Sequence, residues 1–300
     1  MVRRLALILV LMIGKPISGI VGAQTHPILM TYPSGCKMLA YEEYGAGKPI
    51  ILLAGGPGQN PAYMSPVAEI LASVGHRVLL LDQRGTGRSA EAISCRERMN
   101  LAGAVADLEA LRVYLQLDKL AIAGHSWGGM LAMAYAQEHP EHVAGVLLLD
   151  TGPMTYTDFP TESIAVRARL TQAERKAIQS AKSADQMNEI ELPAYFADTR
   201  NAGRLQEYIP AGEHFDNKLV GELLGPDLRS FDVVDGMRKL SAPVALVFGR
   251  FDPGFFVGGE IQKVHTNARL FVVEHAGHYP WLEDPAGTAA ILKVAAAAMP

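Results

Sequence analysis

Apolar residues come in short unbroken runs along this chain. They stand at 50–54, 78–81, 120–123, 143–149, 244–248 and 270–273, and each is dominated by aliphatic residues. Runs of that length without polar alternation are what strands buried on both faces of a parallel sheet look like. Helical periods lie between them. Leu108, Leu111 and Leu115 share one face of a helix over 107–115, and an apolar helix over 130–138 closes at Pro140. Strand and helix in alternation predict an α/β domain, a mostly parallel sheet flanked by helices and joined by right-handed crossovers. An Ala-rich stretch at 295–298 extends a final helix.

One segment breaks the alternation. Residues 152–235 carry almost no strand-like run, and 163–181, rich in Arg, Lys, Glu and Ala, reads as a helix. The segment lies between two sheet strands, which predicts an inserted helical cap over the carboxyl ends of the strands, where α/β proteins bind ligands. The remaining pieces, 24–151 and 236–300, form the core domain. Before them, residues 1–23 pair a basic start, Arg3-Arg4, with an apolar run over 5–13 and small residues at 21–23. That pattern reads as a signal peptide and predicts export to the periplasm or beyond, with a cytoplasmic location as the alternative. The apolar run is shorter than the ~20 residues that a membrane-spanning helix needs, so no membrane span is expected.

Composition narrows the function classes. The 300 residues are 49% hydrophobic and 19% charged, with a net charge of −4. That is a globular composition without the basic surplus that nucleic-acid binding calls for. Two cysteines, Cys36 and Cys95, cannot build a four-cysteine zinc site. They form either one disulfide, if the chain is exported, or two buried thiols.

The chemistry centres on Gly124-His125-Ser126-Trp127-Gly128, which follows one predicted strand and opens a helix. This is the strand–turn–helix setting of a nucleophile elbow, whose tight turn needs small residues at Gly124 and Gly128 and lifts the Ser126 hydroxyl above the sheet. A serine hydroxyl needs a base. Asp252 follows the strand at 244–248, and His278 lies in the loop after 270–273. In the chain order that this architecture uses, they supply the acid and the base. Asp252 also suits a helix N-cap, and His275 is the competing histidine. His125 reads as packing or as lining of a substrate pocket, together with Gly55 and Tyr279. Backbone N–H groups of Gly56, in the loop Ala54-Gly55-Gly56-Pro57-Gly58, and of Trp127 are the candidate oxyanion donors. Asp82-Gln83-Arg84-Gly85-Thr86-Gly87 lacks the third glycine of a dinucleotide fingerprint and the lysine of a P-loop. It reads as a structural loop with Asp82 and Arg84 as a candidate pair. His139 and His142 read as a solvated turn, no H-E-x-x-H occurs, and neither metal nor cofactor is implied.

Taken together, these stretches resemble the α/β-hydrolase superfamily over about residues 38–298, and within it the proline iminopeptidase-like group of serine peptidases. Ala54–Gly58, Asp82–Ser89, Gly124–Gly128, Tyr41–Gly45 and Asp107–Arg112 stand where that group carries its motifs. The resemblance implies a Ser126/Asp252/His278 triad, an oxyanion hole at Gly56 and Trp127, and an acyl-enzyme mechanism on a small molecule or short peptide. Two departures stand out. Ala54 replaces the group's first loop histidine. The predicted cap has no tryptophan, whereas the group's aminopeptidases hold the substrate's α-ammonium with cap carboxylates often near a tryptophan motif; Glu189, Glu191, Glu207 and Glu213 are the candidate replacements. Three readings follow: an aminopeptidase of proline iminopeptidase type, an esterase or lactonase using the same triad, and a non-catalytic receptor using the pocket.

Overall fold

The computed structural model describes residues 27–182, 184–213 and 217–299; the stretch read as a signal peptide lies outside them. Eight strands occur, β1 (Ile28–Ser34), β2 (Lys37–Gly45), β3 (Lys48–Leu53), β4 (His76–Leu81), β5 (Leu120–His125), β6 (Val143–Leu149), β7 (Val244–Gly249) and β8 (Arg269–Val273). They form one sheet in the order β1-β2-β4-β3-β5-β6-β7-β8. β2 runs antiparallel to both neighbours, and the pairs from β4 to β8 are parallel. All six predicted runs are strands.

β1 and β2 are additions to the sequence reading. β1 is the edge strand, carries Pro33, and leaves Ile28 and Leu29 exposed. It therefore lacks the two-sided apolar signature, and proline is tolerated there because an edge strand needs fewer donors. Side chains of the central strands alternate between two cores. Ile51 and Leu53 join the core under α2 (Leu101–Tyr114) and α3 (Trp127–Glu138), while Ile50 and Leu52 join the core under α1 (Ser65–Ser73) and the C-terminal helix Pro285–Ala296.

Between β6 and β7 lie α4 (Phe159–Arg169), α5 (Gln172–Ser180), α6 (Ala184–Glu191), α7 (Lys218–Leu228) and α8 (Val234–Lys239). After β7 come α9 (Phe256–Val264), α10 (Pro280–Glu283) and α11 (Pro285–Ala296). The helix expected over 163–181 is two helices. Thr171 caps the second by accepting from Glu174 N–H while the Glu174 carboxylate accepts from Thr171 N–H. This reciprocal cap starts a new helix and so ends the old one, and its Thr-x-x-Glu spacing is legible in sequence. Met237 of α8 is buried in the same core as the α3 side chains, as are Val220 and Leu224 of α7.

Cys36 and Cys95 are paired, with Cα atoms 6.3 Å apart. The bond ties the β1–β2 turn to the loop before α2. Nearby, Arg84 makes a two-pronged contact with Asp107 at 2.9 and 2.6 Å and also donates to the Ser34 carbonyl. Arg84 therefore does not pair with Asp82, as the sequence had suggested. Asp82 takes Arg88 at 3.0 Å instead, because Arg84 points across to α2. No helix among the described residues is long and apolar enough to cross a membrane.

Candidate active site

The carboxyl ends of β3, β5, β6, β7 and β8 bring the candidate residues to one edge of the sheet. Ser126 follows β5 with φ 53° and ψ −119°, a strained conformation for a residue with a Cβ. Its neighbours make the turn possible. A Cβ on Gly124 would lie 2.2 Å from the Gly128 carbonyl oxygen, and one on Gly128 would lie 2.5 Å from the Leu53 carbonyl oxygen. Glycine at both places lets α3 start hard against β3 and β5. Trp127 is the first residue of α3, so its N–H is one of the four that a helix start leaves unpaired. Across from it, no hydrogen bond among the described residues uses the Gly56 N–H.

His278 Nδ1 lies 3.0 Å from Asp252 Oδ1, and both residues are buried. Burial pushes the His278 pKa down, but the Asp252 charge and hydrogen bond, with the Glu162 charge, outweigh it and leave the value above that of an ordinary histidine. His275 is exposed on the same loop. Asp252 does not cap α9, whose N-cap is Phe255; it caps its own turn by accepting from Gly254 N–H. Ser126 Oγ makes no hydrogen bond among the described residues, and such bonds often form only around a substrate.

A buried relay lies behind Ser126 and His278. The His125 Nε2 atom is 2.9 Å from the His278 carbonyl oxygen, which can only accept, so Nε2 carries the proton. Nδ1 is then an acceptor and takes the Tyr63 hydroxyl proton at 2.7 Å, and Tyr63 Oη accepts from Gly55 N–H at 2.7 Å. Burial first, and then the His278 charge, hold His125 well below the ordinary pKa and keep it neutral. One hydrogen-bonded line thus joins the oxyanion loop, the elbow and the base loop. Gly55, His125 and Tyr279 are all buried, and Gly55 and His125 are members of this hydrogen-bonded line. Gln83 works on the other flank. Its amide donates to the Ala54 carbonyl and its oxygen accepts from Trp127 Nε1, so Gln83 ties the loop after β3 to the first residue of α3, the two places that carry the candidate oxyanion donors.

The segment after α6 closes over His278. Tyr195 lies with its ring 5.1 Å from the imidazole, and its carbonyl accepts from His278 N–H. Its hydroxyl donates to Glu162 Oε1 at 3.3 Å. Glu162 is half-buried; burial raises its pKa most and the nearby His278 opposes this. Glu283 fastens the segment in place. Its carboxylate accepts from Gly277 N–H on the base loop at 2.6 Å and from Ala197 and Asp198 N–H in the cap at 3.1 and 3.0 Å. The four glutamates proposed from sequence lie elsewhere: Glu189 and Glu207 are exposed, Glu191 faces Arg167, and Glu213 binds Asn60. Glu162, Tyr63 and Glu283 had no local signature to find them by. Asp150 had one, since it ends an apolar strand as Asp82 does.

This architecture and the matching sequence pattern, which spans residues 48–285 and is described as the alpha/beta hydrolase fold, place the chain in the α/β-hydrolase family. Its nearer relatives include a proline iminopeptidase of Lactobacillus helveticus, 25% identical over 278 residues, covering 82% of this chain and 88% of that one. A probable proline iminopeptidase of Leptolyngbya boryana is 35% identical over 135 residues, 42% of this chain and 40% of that protein. Among solved structures, an enzyme described as degrading N-acyl homoserine lactones superposes with a TM-score of 0.64 at 22% identity, covering 88% of this chain and 99% of that one. The chain is a hydrolase of the α/β-hydrolase family, similar in sequence to proline iminopeptidases.

Proposed function

We propose that this hydrolase works through an acyl-enzyme on Ser126 and releases an N-terminal residue, preferably proline, from short peptides. The observation that carries this reading is a cap carboxylate, Glu162, beside the His278–Asp252 pair. His278 Nε2 takes the Ser126 proton as Oγ attacks the substrate carbonyl, and the Gly56 and Trp127 N–H groups hold the oxyanion. Collapse breaks the scissile C–N bond, and His278 returns the proton to the leaving amine. Water, activated by the same imidazole, then hydrolyses the ester to free acid and Ser126. Glu162, once ionised, would hold the substrate's α-ammonium from the cap side and place the first carbonyl at Ser126. The second reading, hydrolysis of esters or lactones, is favoured by the tryptophan-free cap and by the likeness to a lactone-degrading enzyme. The Cys36–Cys95 pairing supports an oxidising location, and hence export.

The test is kcat/KM on proline p-nitroanilide and on a short-chain p-nitrophenyl ester, for wild type, Ser126→Ala and Glu162→Gln. The aminopeptidase reading expects anilide turnover that vanishes in Ser126→Ala and a raised anilide KM in Glu162→Gln, with ester kcat/KM unaffected by that change at pH above the His278 limb. Ester turnover alone would transfer the site to the second reading.

A further inference from the structure

Asp150 has no part in the mechanism above, yet its setting is costly. It follows β6, has φ 41° and is fully buried. Its Oδ1 accepts from Gly249 N–H at 2.7 Å. Its Oδ2 is shut off from solvent without a partner, and so is Asp252 Oδ2. One oxygen from each carboxyl and one ring nitrogen of His278 lie within 4.8 Å of one another. The two neighbouring carboxyl groups thus leave two buried acceptors without a donor, a lack that one proton shared between the groups would relieve.

We propose that Asp150 is a neutral carboxylic acid whose O–H bonds to Asp252 and so fixes the carboxylate that orients His278. Asp150 is then a positioning residue. The neighbouring charges agree with this assignment. Asp252 and Glu283 are the acids facing Asp150; Asp252 and Glu162 face His278; Arg169, the cation facing Asp252, spends its guanidinium on the Phe251 and Phe196 carbonyls. Burial, and then the Asp252 charge, raise the Asp150 pKa well above the carboxylate range. With one imidazole for two carboxyl groups, the proton stays on the one farther from the cation partner. The shared proton sets a direction: Asp252 keeps Oδ1 for His278 because Oδ2 already has a donor.

The kinetic consequence rests on the hydrolase reading; the protonation state does not. Asp150→Ala should lower kcat by about 10- to 100-fold, the cost of a misplaced catalytic group. Asp150→Asn supplies an N–H in place of the O–H and should restore kcat to within about threefold of wild type. Its charge is unchanged, so the acid limb of kcat/KM should stay where it is. An ionised Asp150 would predict otherwise: removing its charge would move the limb down by more than about one pH unit. That shift, or equal losses in both variants, or an unaffected Asp150→Ala, would overturn the proposal. Carbon-13 carboxyl NMR of aspartate-labelled wild type needs neither variant nor substrate. One aspartate still protonated at neutral pH supports the proposal, and complete ionisation refutes it even if the enzyme's substrate proves different.

Discussion

Replacing Tyr63 by Phe isolates the buried relay. The hydroxyl accepts from Gly55 N–H and donates to His125 Nδ1, each at 2.7 Å, and Tyr63 has no solvent exposure. Removing one oxygen atom leaves a buried donor and a buried acceptor unmatched, and the space is smaller than the ~30 Å³ share of a water molecule in the liquid. Each orphaned group costs about 1–3 kcal/mol, so the two together should cost about 2–6 kcal/mol. Ring packing on Trp281, with centroids 6.0 Å apart, is retained, so little of the loss is apolar. Urea unfolding of both proteins measures the difference as a shift in midpoint at constant slope. Activity should respond too. Gly55 precedes Gly56, the proposed oxyanion donor, and losing such a donor lowers kcat by about 10²- to 10³-fold, so a merely loosened one should cost about tenfold with KM little changed. A stability loss below about 0.5 kcal/mol would refute the relay of hydrogen bonds through the Tyr63 hydroxyl.

Further outcomes follow from the same geometry. Gly128→Ala puts a Cβ 2.5 Å from the Leu53 carbonyl, a backbone atom that cannot swing away, and should abolish activity and destabilise by about 1–3 kcal/mol in thermal or urea unfolding. Glu283→Gln turns one acceptor oxygen into a donor facing backbone N–H groups and should cost about 1–3 kcal/mol, with a fall in kcat as the His278 loop loosens; unchanged unfolding and kinetics would separate Glu283 from the site. Because His278 must be neutral to accept a proton, kcat/KM should rise with pH through a limb above the ordinary histidine value of about 6.5. Glu162→Gln removes one of the charges that raise it and should move that limb to lower pH. Stability runs the opposite way with pH. The His278–Asp252 pair stabilises fully below the unfolded value of about 6.5, and its contribution is lost as pH rises through the raised folded value.

What was legible in sequence was whatever is written locally. β3 to β7 announced themselves because central strands must be apolar on both faces, β8 by its own apolar run although it is an edge strand, and Ser126, Asp252 and His278 because each ends or follows such a strand at a recognisable spacing. β1 stayed hidden, since an edge strand with Pro33 and exposed Ile28 needs no such pattern, and β2 because its polar Glu42 and Glu43 break the apolar run. Residues that act through distant contacts were equally silent. Tyr63 meets His125 across 62 positions and Glu283 meets Ala197 across 86, and no periodicity encodes either meeting. Composition alone cannot tell which face of a cap helix looks inward, so the sequence points to Glu189, Glu191, Glu207 and Glu213 and not to Glu162, which the structure sets beside Tyr195. The break between α4 and α5 is the opposite case, a capping box that was present in the sequence and outweighed by helix propensity.

The central claim is that Ser126 becomes acylated. Incubating the protein with a p-nitrophenyl ester or a fluorophosphonate, then mapping the adduct by peptide mass spectrometry, tests it without knowing the natural substrate. The account predicts one covalent adduct, on Ser126, that forms in wild type and is lost in both Ser126→Ala and His278→Ala. A protein that turns over substrate with Ser126 unmodified, or that labels equally well without His278, would contradict it.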